Sequence, residues 1–264
     1  MCGIVGYVGN KPVSPLLVEG LKRLEYRGYD SAGLATFTDQ GIRMLRSVGR
    51  VSVLESQLQT AGGLEGTLGI AHTRWATHGS PIIDNAHPHT GQTRDGQCIA
   101  LVHNGIIENY ATLQKYLADK GHVFNSQTDT EVLAKLIAQL YQGDLEAAVQ
   151  AALREVTGAY AIAVICENEP DTLVCARKGS PLIIGIAEKS YVVASDAAAI
   201  ISHTTQVVTL DDYQVAKLCA GPDDRNAPNG GQWLVDFRTT TIDNVRVTRE
   251  VTELEMSLEQ IELG

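Results

Sequence analysis

The chain has 264 residues, enough for one large domain or two small ones, and a single layered domain of this size buries a substantial core. Hydrophobic residues make up 44% and charged residues 20%, which excludes disordered, collagen-like and membrane-spanning classes. The formal net charge of −10 repels a nucleic-acid backbone or an anionic membrane surface, so neither is expected as a partner.

No apolar run approaches the roughly 18 residues of a membrane helix, and MCGIVGYVGN lacks the basic start and long apolar stretch of a secretory signal. A cytoplasmic location is expected. The cysteines at 2, 98, 166, 175 and 219 are odd in number and form no C-x-x-C pair, which suits a reducing compartment. Cys98, Cys166 and Cys175 lie in or beside apolar strand-like runs, where cysteine acts as a small buried hydrophobe, and Cys219 in VAKLCAG reads the same way.

In chain order, GIVGYVG predicts a strand, and the Leu and Val spacing of PVSPLLVEGLKRLEY predicts an amphipathic helix. After the turn-like RGYDSAG, GLATF and IRMLRSVG form an expected antiparallel hairpin around TDQG. TLGIAHTRW and CIALVHNG are further strands, separated by a stretch dense in turn formers, THGSPIIDNAHPHTGQTRDGQ, expected to be a long loop. Helices are predicted in IENYATLQKYLADK, in TDTEVLAKLIAQLYQ with Thr and Asp as caps, and in DLEAAVQAALREV.

From Ala159 onward, AYAIAVICE, TLVCARKG, PLIIGIAE, YVVASD and QVVTLD are short, β-branched runs spaced by turns, implying a large antiparallel system. Strands at both ends with helices between predict an α+β domain of two sheets packed face to face, with helices outside. AGPDDRNAPNGG is a breaker-rich loop whose role, across 221–232, the sequence leaves open; WLVDF and TIDNVRVTRE are expected to make a last hairpin. The terminal VTELEMSLEQIELG is helix-prone and reads as a linker.

Cys2 stands out because removal of Met1 would leave one residue carrying both a thiol and a free α-amine. An α-amino group ordinarily titrates at about 7.7 to 8.0, which suits a proton acceptor near neutral pH. Taken alone, a cysteine after Met reads mostly as chance or a core residue. The strings MCGIVGYVG, LEYRGYDSAG, IAHTRWATHG, LVHNGIIENY and TDTEV together resemble class II glutamine amidotransferases, a branch of the N-terminal nucleophile hydrolases. EYRGYDSAG, HTRWATHG and ARKGSPL are similar to the branch that makes glucosamine 6-phosphate. The resemblance spans about the first 220 residues.

That resemblance implies a four-layer αββα sandwich. It also implies that Cys2 attacks the side-chain amide of L-glutamine, giving a γ-glutamyl thioester and ammonia. Asn104 and the Gly105 backbone N–H match the family's oxyanion hole, although Asn-Gly also reads as a plain turn. Arg74 matches the arginine that grips the substrate carboxylate, against a solvated surface arginine, and Asp129 the aspartate that pairs with its ammonium, against a helix cap. Trp75, Thr77 and His78 lie in the segment that closes over glutamine. Arg27 matches a residue that orders the site, and Gly28 is expected to permit close backbone approach there. Gln127 departs from the family string and is not expected to touch substrate. His87 and His89 fall short of a zinc set, so no metal and no cofactor are expected.

The resemblance further implies a glutaminase domain over 1–248 and, over 249–264, the start of a helical linker to an absent sugar-phosphate isomerase domain. A homodimer is expected at full length. Two rivals stay open: the glutaminase domain of a phosphoribosyl-pyrophosphate amidotransferase, against which YRGYDSAG argues, and a catalytically silent module of the same fold, in which an intact Met1 blocks the amine.

Overall fold

Strands that are apolar on both faces must lie between two other layers. In the computed structural model, which describes residues 2–75, 79–222 and 232–254, β7 (Gly158–Cys166) is such a strand. Its Ala161, Ala163 and Ile165 face a core between two sheets, while Tyr160, Ile162, Val164 and Cys166 face a second core under helices. The small side chains facing inward let the sheets approach closely.

One sheet has eight strands and is built on β1 (Gly3–Val8), β2 (Ser31–Thr38), β3 (Gly41–Val48) and β4 (Leu68–Arg74). It continues through β9 (Ile183–Ala187), β10 (Ser190–Ala194), β11 (Gln206–Thr209) and β15 (Thr252–Glu253), in the order β15-β11-β9-β10-β1-β4-β2-β3. The other has seven strands. They are β5 (His89–Gln92), β6 (Cys98–Ile107), β7, β8 (Thr172–Lys178), β12 (Gln214–Pro222), β13 (Trp233–Thr241) and β14 (Arg246–Val247), in the order β14-β13-β12-β8-β7-β6-β5. The ladders between these strands are antiparallel.

Helices α1 (Val13–Leu24) and α2 (Val51–Thr60) cover the first sheet, burying Val13, Leu17, Leu21, Leu54 and Leu58 against Val5, Tyr7 and Leu34. Helices α3 (Tyr110–Asp119), α4 (Asp129–Leu140) and α5 (Leu145–Arg154) cover the second with Leu117, Leu133, Ile137, Val149 and Leu153. The result is the expected four-layer αββα α+β sandwich.

The structure departs from the sequence reading in several places. The long loop before β6 contains a short helical turn at Ile83–Asn85 and the strand β5, which pairs with β6 from His89↔Leu101 to Gln92↔Cys98. Helix α2 has no counterpart among the expected elements. The main hairpin near the end joins β13 to β12 across the breaker-rich loop, from Gln214↔Thr241 to Pro222↔Trp233; the expected hairpin survives only as the short β13–β14 pair. Thr252–Glu253, expected to be helical, pairs as β15 with β11, and the Leu254 N–H donates to the Thr205 carbonyl at 2.8 Å. The rest of the expected linker and residues 223–231 of the unexplained loop lie outside the described residues.

Helix α4 starts where the sequence placed a cap. Thr128 is the capping residue, its Oγ1 accepting from the Glu131 N–H at 3.3 Å and bonding His89 Nε2 at 3.0 Å. The Glu131 carboxylate accepts the Ser126 N–H at 2.7 Å and the Asn125 N–H, fixing the entry to the helix. Thr128→Ala removes this cap, so denaturant melts should show a loss of about 1–2 kcal/mol; an unchanged midpoint would show that the cap carries no weight.

Candidate active site

The inner faces of three strands follow a period of two and turn from apolar to polar at the same end of the sandwich. On β4 the sequence of inward side chains is Leu68, Ile70, His72, and the next in step is Arg74; on β6 it is Ala100, Val102, Asn104. On β1 the inward Val8 and Ile4 lead to Cys2, just before the strand begins. Gly3 pairs with Thr73, so one further step along each strand sets Cys2 beside Arg74.

These ends line a cleft of about 50 Å³, bordered by Cys2, Arg74, Trp75, His87, His103, Gly105, Ile106, Thr128, Asp129 and Thr130. Cys2 Sγ accepts the Trp75 backbone N–H at 3.2 Å. Burial pushes the Cys2 thiol up from its ordinary pKa, opposed by the Trp75 N–H and Arg74, while Asp30 adds to the rise. The other cysteines are free and their thiols are also raised, Cys98 to about 12, chiefly by burial. None of them borders the cleft.

Asn104 joins the two sheets. Its Nδ2 donates to the Cys2 carbonyl at 3.2 Å, and its Oδ1 lies 2.9 Å from His72 Nε2. Gly105 follows within β6 with φ +136°, and a Cβ there would stand 2.1 Å from the Ala159 carbonyl oxygen, so this position in the strand requires glycine. Arg74 is buried and pairs with Asp30 Oδ1 at 3.6 Å. Asp129 is the first residue of α4. Its Oδ2 accepts the Ile107 N–H at 2.7 Å, so the carboxylate is tied to the end of β6 while Thr128 caps the helix. A carboxylate at a helix N-terminus is also favoured by the macrodipole.

The remaining sequence-derived residues divide. Trp75 borders the cleft mouth with an exposed ring lying over Gly28, where a Cβ would meet Trp75 Cε3 at 2.0 Å. Close approach at Gly28 is therefore by an indole side chain rather than by backbone. Arg27 does not border the cleft: its Nη1 bonds Asp196 Oδ2 at 3.1 Å and the Ser195 carbonyl at 3.2 Å. Ser195 Oγ in turn accepts the Ile4 N–H at 3.0 Å, so Arg27 acts on β1 two residues beyond Cys2. Gln127 bonds Asn85 and is absent from the cleft wall. Thr77, His78 and Met1 lie outside the described residues.

Sequence reasoning did not bring the four histidines together: His87 and His103 border the cleft, and His72 and His89 pack against His87. The His72 and His87 ring centroids are 4.1 Å apart and those of His87 and His89 5.0 Å, and His103 Nδ1 lies 3.0 Å from Thr130 Oγ1. All four are buried, and burial lowers each pKa, to about 3 for His72 and His89. Among the described residues no group of three His, Cys, Asp or Glu is arranged to hold a metal. The available signal was position: His72 lies two residues before Arg74 on the same face, and His103 immediately precedes Asn104.

A family model described as a glutamine amidotransferase domain matches residues 78–202. Proteins named glutamine–fructose-6-phosphate aminotransferase [isomerizing] are similar over much or all of the chain. The one from Chlorobaculum tepidum is 49% identical over 270 residues, covering 100% of this chain and 41% of its own length. That from Bordetella pertussis is 53% identical over 219 residues, covering 83% and 36%. The chain thus spans about two fifths of the length of such relatives. Among solved structures, the glutamine phosphoribosylpyrophosphate amidotransferase from B. subtilis superposes with a TM-score of 0.74 at 24% identity, over 91% of this chain and 49% of that one, a likeness of fold alone.

The buried histidines predict a pH dependence. Each is held neutral in the folded chain but takes a proton near pH 6.5 when unfolded. Below that pH the unfolded state binds more protons, so stability present above about 6.5 is lost as pH falls toward about 3. His72 and His89 each remove up to about 1.4 kcal/mol per pH unit in that window. Thermal melts should therefore show a lower midpoint at about pH 5 than at about pH 7.5; equal midpoints would contradict it.

Proposed function

The chain carries a glutamine amidotransferase domain homologous to the corresponding part of the glutamine–fructose-6-phosphate aminotransferases, and from that premise we propose that it hydrolyses L-glutamine to glutamate and ammonia through Cys2. The observation that carries the reading is the convergence of Cys2, Arg74, Asn104, Gly105 and Asp129 on one end of the sandwich. Once Met1 is removed, the Cys2 α-amine takes the thiol proton and the sulfur attacks the side-chain amide carbon of glutamine. The carbonyl oxygen becomes an oxyanion, stabilised by the Asn104 side-chain N–H and the Gly105 backbone N–H. Collapse expels the amine, which leaves as ammonia with the proton returned by the α-amine. Water then cleaves the γ-glutamyl thioester to release glutamate and restore the thiol.

Substrate holding follows from charge. The Arg74 guanidinium takes the α-carboxylate and Asp129 the α-ammonium, fixing the amide carbon in reach of the sulfur. Trp75 stands at the cleft mouth, where it covers bound glutamine. Arg27 is a positioning residue for β1 through Ser195. In a longer protein, ammonia released here serves a fused isomerase domain reached through the segment from 249, forming glucosamine 6-phosphate from fructose 6-phosphate, in a homodimer in the cytoplasm. No helix among the described residues is long and apolar enough to cross a membrane. The phosphoribosyl-pyrophosphate reading has only a fold likeness behind it.

With Met1 removal confirmed by mass, the chain should release glutamate from glutamine, and Cys2→Ala should abolish it. Arg74→Lys should raise KM for glutamine at least about tenfold, worth about 1.4 kcal/mol. Glutamate release by Cys2→Ala equal to that of the parent would overturn the assignment. The chain alone should form no glucosamine 6-phosphate from fructose 6-phosphate and glutamine, and its detection by chromatography would contradict the need for a further domain.

A further inference from the structure

The arrangement around Asn104 fixes more than its own place. A backbone carbonyl only accepts hydrogen bonds, so the atom of the amide 3.2 Å from the Cys2 carbonyl must be nitrogen. The amide's other atom is then an oxygen, which also only accepts, and it lies 2.9 Å from His72 Nε2. His72 Nε2 must carry a proton and donate it.

The surroundings agree with that tautomer. His72 is 1% exposed and its Nδ1 is buried, so the ring's contact with Asn104 is made away from solvent. Nearby, His87 presents its own Nδ1 to the His103 backbone N–H at 3.5 Å, so that nitrogen is bare as well. Burial keeps the His72 ring neutral, with one proton to place.

An asparagine amide is nearly symmetrical in shape, so packing alone distinguishes poorly between its two orientations. Turned over, Asn104 would set its oxygen against the Cys2 carbonyl and its NH2 against the His72 N–H. We propose that His72 is a positioning residue for glutamine hydrolysis: its Nε2–H locks the Asn104 amide with the donor end toward Cys2 and the cleft. This rests on the reading of Asn104 as a donor to the developing oxyanion. Without the lock, part of the population presents an acceptor to a negative charge. The loss falls on kcat, because Arg74 and Asp129 hold the ground-state substrate by other contacts.

The test compares His72→Leu, which removes the donor, with His72→Gln, whose side-chain NH2 reaches about where Nε2 stood, in chains shown by mass to have lost Met1. His72→Leu should lower kcat about tenfold to a hundredfold, a fraction of the roughly 10²–10³ associated with losing an oxyanion donor outright. KM should change little, His72→Gln should recover most of the rate, and alkylation of Cys2 by iodoacetamide should proceed as in the parent. An unchanged kcat in His72→Leu, or equal losses in the two variants, overturns the proposal. If the parent itself releases no glutamate, the hydrolysis reading fails first, and this proposal with it. Should the leucine variant not fold, 15N NMR of the histidine-labelled parent decides: a His72 ring protonated on Nε2 through neutral pH supports the lock, and a proton on Nδ1 refutes it.

Discussion

The side-chain amide of Asn104 is where the two sheets meet in a hydrogen-bonded register, Nδ2 to the Cys2 carbonyl at the edge of β1 and Oδ1 to His72 on β4. A sandwich of two sheets has a dry interior, and polar groups within it must be satisfied by one another. Here the interior stays apolar until the final inward steps of β1, β4 and β6, and there the polar groups appear together. The geometry of the site is thus a property of strand register. A slip of one residue in β6 would turn Asn104 outward and His103 inward.

Around that link, each remaining group is fixed by a different layer. Arg74 is buried beside Asp30, which holds a long side chain that would otherwise be costly to order. Asp129 is delivered by the helix layer over the second sheet, with the Thr128 cap setting where the helix begins and the Ile107 N–H setting where the carboxylate points. Trp75 leaves β4 at the cleft mouth with its backbone N–H on the sulfur and its ring over Gly28. Cys2 therefore sits where one strand starts, another ends and a helix begins, with backbone donors at hand and the cleft open to solvent.

Much of this was legible in the sequence where signals are local. The apolar runs in TLGIAHTRW and CIALVHNG marked strands, the Leu and Val spacing marked α1, and the Thr and Asp at the start of α4 marked where that helix begins. The αββα arrangement followed from the order of such elements, and the motif strings from their resemblance to a family. What escaped depends on partners distant in sequence. Helix α2 opens on β-branched Val51 and Val53 with no capping side chain before it, because the Val51 N–H is capped by Glu25 Oε1 at 2.8 Å, 26 residues away. The strand β5 is four residues among turn formers, held by its pairing with β6, and β15 is two residues held by β11. The histidine stack was illegible for the same reason. His72, His87, His89 and His103 come from three segments, and only the fold brings their rings together at the cleft.

The central claim is that Cys2, freed of Met1, is the nucleophile of a glutamine site. It is tested most directly by intact-mass and peptide mass spectrometry of the processed chain after exposure to a glutamine analogue bearing a diazoketone in place of the side-chain amide. The account expects a single adduct, on the amino-terminal Cys2, whose formation excess glutamine slows. No adduct, or one on Cys98, Cys166, Cys175 or Cys219 that glutamine does not protect, would contradict it.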